Sequence, residues 1–423
     1  MPTLGFTESG ATSHHQAFVP DRSRIRTLLL VLTAASAGLV TVTLFVRGLS
    51  YVNLDNLIQH PLQFYALLVV PAVVAIACLM AEALPHILTI NIAVFVGLLI
   101  VGEAAAWILA LPRPVIRGEP VAIGGPTFYV PDATLGYALA LSTVAQHRRT
   151  VGDVPIYDVI YRTDDRGRRE TPTSAGTRPT SFVLFFGDSN TFGEGLSQTE
   201  TIPYYAGAQA KSHRPYNYGV PGYGPAQLLA LARLDRIRGE VLERDGYAVF
   251  LFIPAHVARV VGSSMVSTGW GRHFPYYEAP DHGDLINHGD FVHGRPFTTL
   301  AYFFWTKSHL VALFGLDLPV QHAARDYRLT AKILKESSRL LVQQLHLRGF
   351  VVVLAQAYTA ADLRVIQGLR EALAREGVTY LDYTMLLDTR DLQYRLSEFD
   401  YHNSAKANRL IAARLVSDLG ITR

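Results

Sequence analysis

The chain has 423 residues, a formal net charge of +3 and a single cysteine, Cys78. So small a net charge argues against nucleic-acid binding driven by phosphate neutralisation. One cysteine excludes an intrachain disulfide and rules out a cysteine-based metal site or thiol nucleophile as a working hypothesis. The length is sufficient for one α/β domain and a further unit.

Apolar residues are concentrated in the first quarter of the chain. A polar tail, residues 1–27, precedes three apolar stretches at about residues 28–46, 64–84 and 87–111. Each stretch is long enough to cross a hydrocarbon core of roughly 30 Å. The sequence therefore predicts three transmembrane helices within residues 28–111.

Arginines beside the first stretch predict its orientation. The cluster before it outnumbers the single Arg47 after it, so the positive-inside rule places the tail in the cytoplasm. Residues from 112 onward are then expected on the outer side of the cytoplasmic membrane. Arg113 and Arg117 follow the third stretch on that outer side and run against the rule.

One ionisable residue, Glu103, lies inside the third apolar stretch. An ionisable group within a span indicates a functional site by default. The alternatives are a protonated carboxyl group, or one that faces a partner helix or the interface near Trp107.

Residues 112–180 contain short β-like runs broken by Gly, Pro and Asp. Residues 154–162 alternate apolar and polar side chains, and residues 163–167 have the composition of a turn. We expect a small β-rich linking segment that packs on the domain that follows.

The apolar run at residues 181–186 ends abruptly in Gly187, Asp188 and Ser189. Such a run is typical of a buried strand in a parallel sheet, and functional sites lie at the carboxyl ends of these strands. A serine hydroxyl becomes a nucleophile only when a base takes its proton and donors receive the oxyanion. An ordinary strand-to-helix turn is the alternative interpretation.

After Ser189 strand and helix patterns alternate, which predicts a three-layer α/β/α domain over residues 181–423. An insertion at about residues 262–321 interrupts the rhythm, and we expect it to lie over the site or against the bilayer. The predicted helices cover residues 199–211, 225–238, 326–348, 360–376 and 405–419, and the predicted strands cover residues 216–218, 247–253, 350–355 and 378–382.

A candidate base stands near the C-terminus, where Asp400 and His402 flank Tyr401 just before the last predicted helix. A carboxylate held this close can orient the imidazole and stabilise its charged form. The alternative is a helix N-terminal turn that carries an exposed histidine.

The string Phe-Gly-Asp-Ser-Asn-Thr-Phe-Gly-Glu-Gly-Leu at residues 186–196 resembles the first block of the SGNH (GDSL-like) hydrolases, whose nucleophile is the serine. Asp400 and His402 resemble the last block, although one residue separates them where two are commonest. Residues 217–224 resemble the second block. The resemblance implies a catalytic Ser189, His402 and Asp400, with the backbone N–H groups of Ser189 and Gly222 receiving the oxyanion. Asn190 is a further accessory candidate.

The third block departs from the family, which usually carries an asparagine after the third strand. Here the strand runs into Pro254, Ala255 and His256, and Arg259 follows. Loss of one oxyanion donor typically costs roughly a hundred- to a thousand-fold in turnover. His256 is a candidate replacement donor and Arg259 a candidate anion ligand. Alternatively, both are structural or the domain is a poor catalyst.

The layout resembles membrane-anchored SGNH proteins associated with envelope polysaccharide. The resemblance implies an extracytoplasmic serine esterase acting on acyl esters, including O-acetyl groups of polysaccharide, without a cofactor. Two alternatives remain open. One is a polysaccharide O-acyltransferase that needs a membrane partner to supply its acyl group. The other is a catalytically weak carbohydrate-binding or scaffold protein of the same fold.

The insertion also contains a set of three histidines and three aspartates that are possible metal ligands. Its histidines and aspartates fit no standard zinc spacing, so we expect neither a metal nor a cofactor. The residues concerned are His282, His288, His293, Asp281, Asp284 and Asp290.

Overall fold

The computed structural model describes residues 116–422 except 174–177, 281–282, 356 and 389, with scattered helical residues between 91 and 107. The chain divides into two compact units, Met1–Leu109 and Ala110–Arg423. The predicted tail and the first two apolar stretches lie outside the described residues, as does most of the third. Glu103 is half-buried in the helical residues 101–103. A search of the described residues for a helix with the length and hydropathy of a membrane span finds none.

Antiparallel pairs build the segment that precedes the main sheet. Both β1 and β2 pair with β5. Strand β6 also pairs with β5, along the whole of β5, and β3 and β4 form a separate two-stranded sheet. β6 coincides with the alternating run predicted at residues 154–162. These strands are β1 (Ile116–Arg117), β2 (Val121–Ala122), β3 (Tyr129–Asp132), β4 (Gly136–Leu139), β5 (Val144–Val151) and β6 (Val154–Arg162).

The main sheet has five parallel strands in the order β13-β12-β9-β7-β8, which confirms the predicted parallel sheet. The chain passes from β7 to β8 on one side and then to β9 on the other. Ligands bind at such a switch point, outside the carboxyl ends of the strands. The strands after β6 are β7 (Ser181–Phe186), β8 (His213–Asn217), β9 (Asp245–Phe252), β10 (Pro275–Glu278), β11 (Ile286–Asp290), β12 (Gly349–Leu354) and β13 (Tyr380–Asp382).

Helices cover both faces of this sheet. Side chains of β7 alternate between the two faces, so Leu184 shares an apolar cluster with Leu334 and Ile366, while Phe185 shares another with Ile202 and Ile411. The described helices are α1 (Ser189–Phe192), α2 (Ile202–Gln209), α3 (Pro225–Arg233), α4 (Ala255–Val261), α5 (Ser264–Thr268), α6 (Phe291–Gly294), α7 (Pro296–Thr306), α8 (His309–Phe314), α9 (Ala324–Leu345), α10 (Ala360–Glu376) and α11 (Ala405–Asp418).

The insertion consists of the β10–β11 hairpin and the short helices α5 to α8. A third apolar cluster joins this insertion to the β-rich segment and to α1. Phe128 and Tyr161 of the segment pack there with Phe192 of α1 and Phe274 of the insertion. The ring centroids of Tyr161 and Phe192 are 4.9 Å apart. The β-rich segment therefore forms part of the wall around the carboxyl end of β7.

Candidate active site

Ser189 begins the short helix α1 directly after β7. The Asp188 carboxylate caps this helix, because Asp188 Oδ1 accepts the backbone N–H of Asn190 at 3.0 Å. Asp188 is fully buried and the Ser189 side chain is nearly so. The cap fixes the direction in which Ser189 Oγ leaves the backbone.

Ser189, His402 and Asp400 form a continuous hydrogen-bonded chain. His402 Nε2 lies 2.8 Å from Ser189 Oγ, and His402 Nδ1 lies 2.5 Å from Asp400 Oδ1. The same Oδ1 accepts the backbone N–H of His402 at 3.0 Å. One residue between Asp400 and His402 is therefore enough, because the Asp400 carboxylate contacts both the backbone N–H and the ring of His402.

Charges around the imidazole favour a basic His402. Burial alone lowers the pKa of His402, but the Asp400 hydrogen bond and the Glu194 charge outweigh it and raise that pKa above its usual value. Burial raises the pKa of Asp400, but the hydrogen bond from His402 outweighs burial and lowers that pKa below its usual value. Asp400 is thus held ionised, ready to stabilise the imidazolium that forms when His402 takes a proton.

Asn190 links the two loops that carry this chain of hydrogen bonds. Its Oδ1 accepts the backbone N–H of Asn403 at 3.3 Å. The predicted accessory residue therefore ties the nucleophile helix to the residue after His402.

Gly222 occupies a position that only glycine tolerates. Its φ is +87°, and a Cβ there would clash with Tyr137 Oη and lie 2.8 Å from Trp270 Nε1. Within the described part of the chain, neither the Gly222 N–H nor the Ser189 N–H donates a hydrogen bond to another protein group. Both predicted oxyanion donors are thus available to a ligand.

His256, the candidate replacement for the missing amide donor, lies in the protein interior. His256 is fully buried, its Nδ1 accepts the Ile253 N–H at 3.2 Å, and its Nε2 faces Asp188 Oδ2 at 3.5 Å. Burial lowers the pKa of His256, so the ring is held neutral behind the Asp188 carboxylate. Its nitrogens face protein atoms on both sides.

Arg259, the candidate anion ligand, is bonded to the protein through Nη1. Arg259 Nη1 donates to Asp188 Oδ2 at 2.9 Å and to the Tyr223 carbonyl at 2.7 Å. Burial raises the pKa of Asp188, but the Arg259 charge and the His256 hydrogen bond hold it well below its usual range. The residues of the altered block thus fix Asp188 and the Gly222 loop, which supports their structural interpretation.

A cavity of about 870 Å³ opens beside Gly222. Its wall includes four residues that the sequence did not single out: Tyr137, Arg149, Glu194 and Trp270. Glu194 lies within the motif string, so a signal for it existed. The other three come from the β-rich segment and the insertion, and no local pattern marks them.

Two of the insertion residues considered as metal ligands, Asp290 and His293, lie close together, and His273 joins them. Asp281 and His282 lie outside the described residues. His288 Nε2 lies 3.2 Å from Glu278 Oε2. Asp290 Oδ1 lies 2.8 Å from His293 Nδ1, and Asp290 Oδ2 lies 2.8 Å from His273 Nδ1. These are histidine–carboxylate hydrogen bonds at the base of the β10–β11 hairpin.

No protein-family model and no curated protein matches this chain. Solved structures similar to it include an α/β hydrolase enzyme from the metagenome of Lake Arreo, Spain (14% identity, 58% of this chain and 97% of the other, TM-score 0.35). Another is a member of the lipolytic protein G-D-S-L family from Veillonella parvula (14% identity, 56% and 97%, TM-score 0.32). A third is an acetyl xylan esterase from the rumen bacterium Butyrivibrio proteoclasticus (10% identity, 60% and 68%, TM-score 0.31). At these identities and TM-scores no substrate follows, so function has to follow from the geometry of the site.

Proposed function

We propose that this protein is a serine hydrolase that cleaves acyl esters. The observation that carries the proposal is the Ser189–His402–Asp400 chain of hydrogen bonds, at 2.8 and 2.5 Å. It stands at the switch point of the parallel sheet, and the unused Gly222 N–H lies on the loop that follows β8, the strand paired with β7. These are a nucleophile, its base, the group that orients the base, and an oxyanion donor.

In the first half of the reaction, His402 Nε2 takes the proton of Ser189 Oγ as that oxygen attacks the ester carbonyl carbon. The carbonyl oxygen becomes an oxyanion, which the N–H groups of Ser189 and Gly222 stabilise. His402 then returns the proton to the leaving alcohol oxygen as the ester C–O bond breaks. An acyl group remains on Ser189.

The second half repeats these steps with water in place of Ser189. His402 takes a proton from the water, the resulting hydroxide attacks the acyl carbonyl, and the proton returns to Ser189 Oγ as the acid leaves. A sugar hydroxyl in place of water converts the same steps into acyl transfer. The fixed Asp188 and Gly222 loop support a catalyst over a binding protein that has lost activity.

The cavity supports an O-acylated carbohydrate as the substrate. Its wall combines aromatic rings of Tyr129, Tyr137 and Trp270 with the carboxylates of Glu119 and Glu194. Aromatic rings bury the apolar faces of sugar rings, and carboxylates accept hydrogen bonds from hydroxyl groups. Envelope polysaccharide fits this proposal when the apolar stretches at residues 28–111 anchor the enzyme with its site outside the cytoplasmic membrane.

The proposal predicts covalent labelling of Ser189 by a fluorophosphonate probe. We expect the purified full-length protein to gain one adduct, which peptide mass spectrometry locates on Ser189, because the probe requires an activated serine and an oxyanion hole. Ser189→Ala should gain none. Absence of an adduct on the wild type, or an adduct on another serine, would contradict the proposal.

Gly222→Ala is expected to lower kcat for ester hydrolysis by roughly a hundred- to a thousand-fold. The added Cβ enters the space of Tyr137 Oη and Trp270 Nε1 at a φ of +87°, so the loop and its N–H donor must move. The matched control is Gly239→Ala, because a Cβ at Gly239 meets no atom within 4 Å. A wild-type kcat in Gly222→Ala would show that the Gly222 N–H is not part of the oxyanion hole.

A further inference from the structure

A second carboxylate faces the imidazole of His402. Glu194 follows α1, and its Oε2 lies 3.7 Å from His402 Nε2, the nitrogen that takes the proton of Ser189. Asp400 holds the opposite nitrogen, Nδ1. The imidazole therefore stands between two carboxylates, one on each side of the ring.

An arginine from the β-rich segment reaches both carboxylates. Arg149 Nη1 lies 2.5 Å from Glu194 Oε1 and 3.8 Å from Asp400 Oδ2. Asp400 Oδ2 is buried and accepts no hydrogen bond within the described part of the chain. Arg149 thus places a fixed positive charge next to the two negative charges that flank the imidazole.

A small network holds this pair in place. Tyr157 Oη donates to Glu194 Oε1 at 3.2 Å, and His147 Nδ1 lies 3.3 Å from Tyr157 Oη. Asp188, the residue before Ser189, adds a further negative charge, and Arg259 Nη1 lies 2.9 Å from its Oδ2. Among the described residues, these contacts place three carboxylates and two guanidinium groups around His402, contributed by β5, the two motif loops and α4.

We propose that Glu194 and Arg149 are positioning residues that adjust the basicity of His402 in opposite directions. This inference rests on the proposed hydrolase function. Glu194 stabilises the imidazolium form because its negative charge lies beside the proton that His402 has taken. Arg149 limits this stabilisation because its positive charge screens Glu194 and Asp400.

The balance has a functional reason. His402 accepts the Ser189 proton only when it is neutral, so a pKa raised too far by two bare carboxylates would leave it protonated at neutral pH. A pKa that is too low would make it a weak base. Contact with Arg149 also makes the β-rich segment part of the active site, 45 residues before Glu194 in the sequence.

The test is the pH dependence of Ser189 labelling by a fluorophosphonate probe in the full-length protein. The labelling rate rises with pH as His402 loses its proton. In Glu194→Gln a negative charge is gone, so the pKa of His402 falls and the rise should move to lower pH by about 1 unit. In Arg149→Gln a positive charge is gone, so the rise should move to higher pH by about the same amount.

Matched variants separate this effect from a structural one. Arg148→Gln removes the exposed neighbour of Arg149 on β5, and Glu371→Gln removes an exposed carboxylate on α10, so neither should move the profile. Arg149→Lys keeps the charge and should restore the wild-type midpoint. If Arg149→Gln does not fold, Arg149→Met takes its place, and the comparison of Glu194→Gln with Glu194→Asp tests the role of Glu194, because only the first removes the charge.

Shifts in opposite directions support the inference. Unchanged midpoints, a shift in only one variant, or shifts in the same direction overturn it. Failure of the proposed function looks different, because the wild-type protein would then label at no pH. A wild type that labels while the variant midpoints fail to separate refutes only the roles of Glu194 and Arg149.

Discussion

Ser189→Ala is expected to lower kcat/KM for p-nitrophenyl acetate by roughly three to six orders of magnitude. Without Oγ no acyl-enzyme forms, and His402 Nε2 loses the partner that it contacts at 2.8 Å. His402→Ala should cost a similar amount, because Ser189 then keeps its proton. The double variant should be little worse than either single one, since the two residues act as a unit.

Steady-state turnover by the full-length variants checks this prediction. Ser417→Ala and His288→Ala are the matched controls, because both residues are away from the site and Ser417 is exposed on α11. These controls should keep wild-type turnover. Equal rates for the wild type and Ser189→Ala would show that the hydrogen-bonded chain is not the source of any activity observed.

Arg169→Met should be strongly destabilising, by about 2–5 kcal/mol in the free energy of unfolding. Arg169 is buried, and its guanidinium donates to the carbonyls of Gly193 and Leu196 at 2.9 and 2.6 Å. Its charge faces the rings of Tyr161 and Phe192, with the guanidinium carbon 4.5 and 4.4 Å from their centroids. Methionine fills much of the volume but leaves two buried carbonyls without donors.

Urea unfolding of the full-length protein measures this loss, with Arg166→Met as the control. Arg166 lies on the neighbouring turn and its side chain is half exposed, so its replacement should cost less than about 0.5 kcal/mol. The carbonyls that Arg169 holds flank Glu194, so Arg169→Met should also reduce labelling of Ser189. A loss of stability no greater than that of the control would show that the loop holds its shape without Arg169.

Elements with clear local signals were predicted closely. The helix predicted at residues 360–376 is α10, because Thr359 caps its first turn through Asp362 N and Gly377 adopts the left-handed conformation at its end. The helix predicted at 225–238 ends at Arg233, because the chain turns at Asp235 with a φ of 50°. The strand predicted at 216–218 is β8, which runs from His213 to Asn217. The first residues of β8 are polar, so the sequence pattern did not show where this strand begins.

Local sequence patterns were sufficient to identify the reacting groups. Gly187 to Ser189 after an apolar strand, and Asp400 close to His402, are short-range patterns that the chemistry of an activated serine requires, and the structure brings them together. Local patterns can predict these groups because the end of a strand sets the position of Ser189, and a single intervening residue keeps Asp400 close to His402. Neither arrangement depends on distant segments.

The surroundings of these groups depend on how distant segments pack, and no local pattern predicted them. This packing places Arg149 on Glu194, puts Tyr137 and Trp270 beside Gly222, and turns His256 and Arg259 inward onto Asp188. Each of these contacts joins segments that are far apart in the chain. The sequence around either residue contains no pattern that predicts the contact. Their physical cause is the packing of the β-rich segment and the insertion over the carboxyl end of β7.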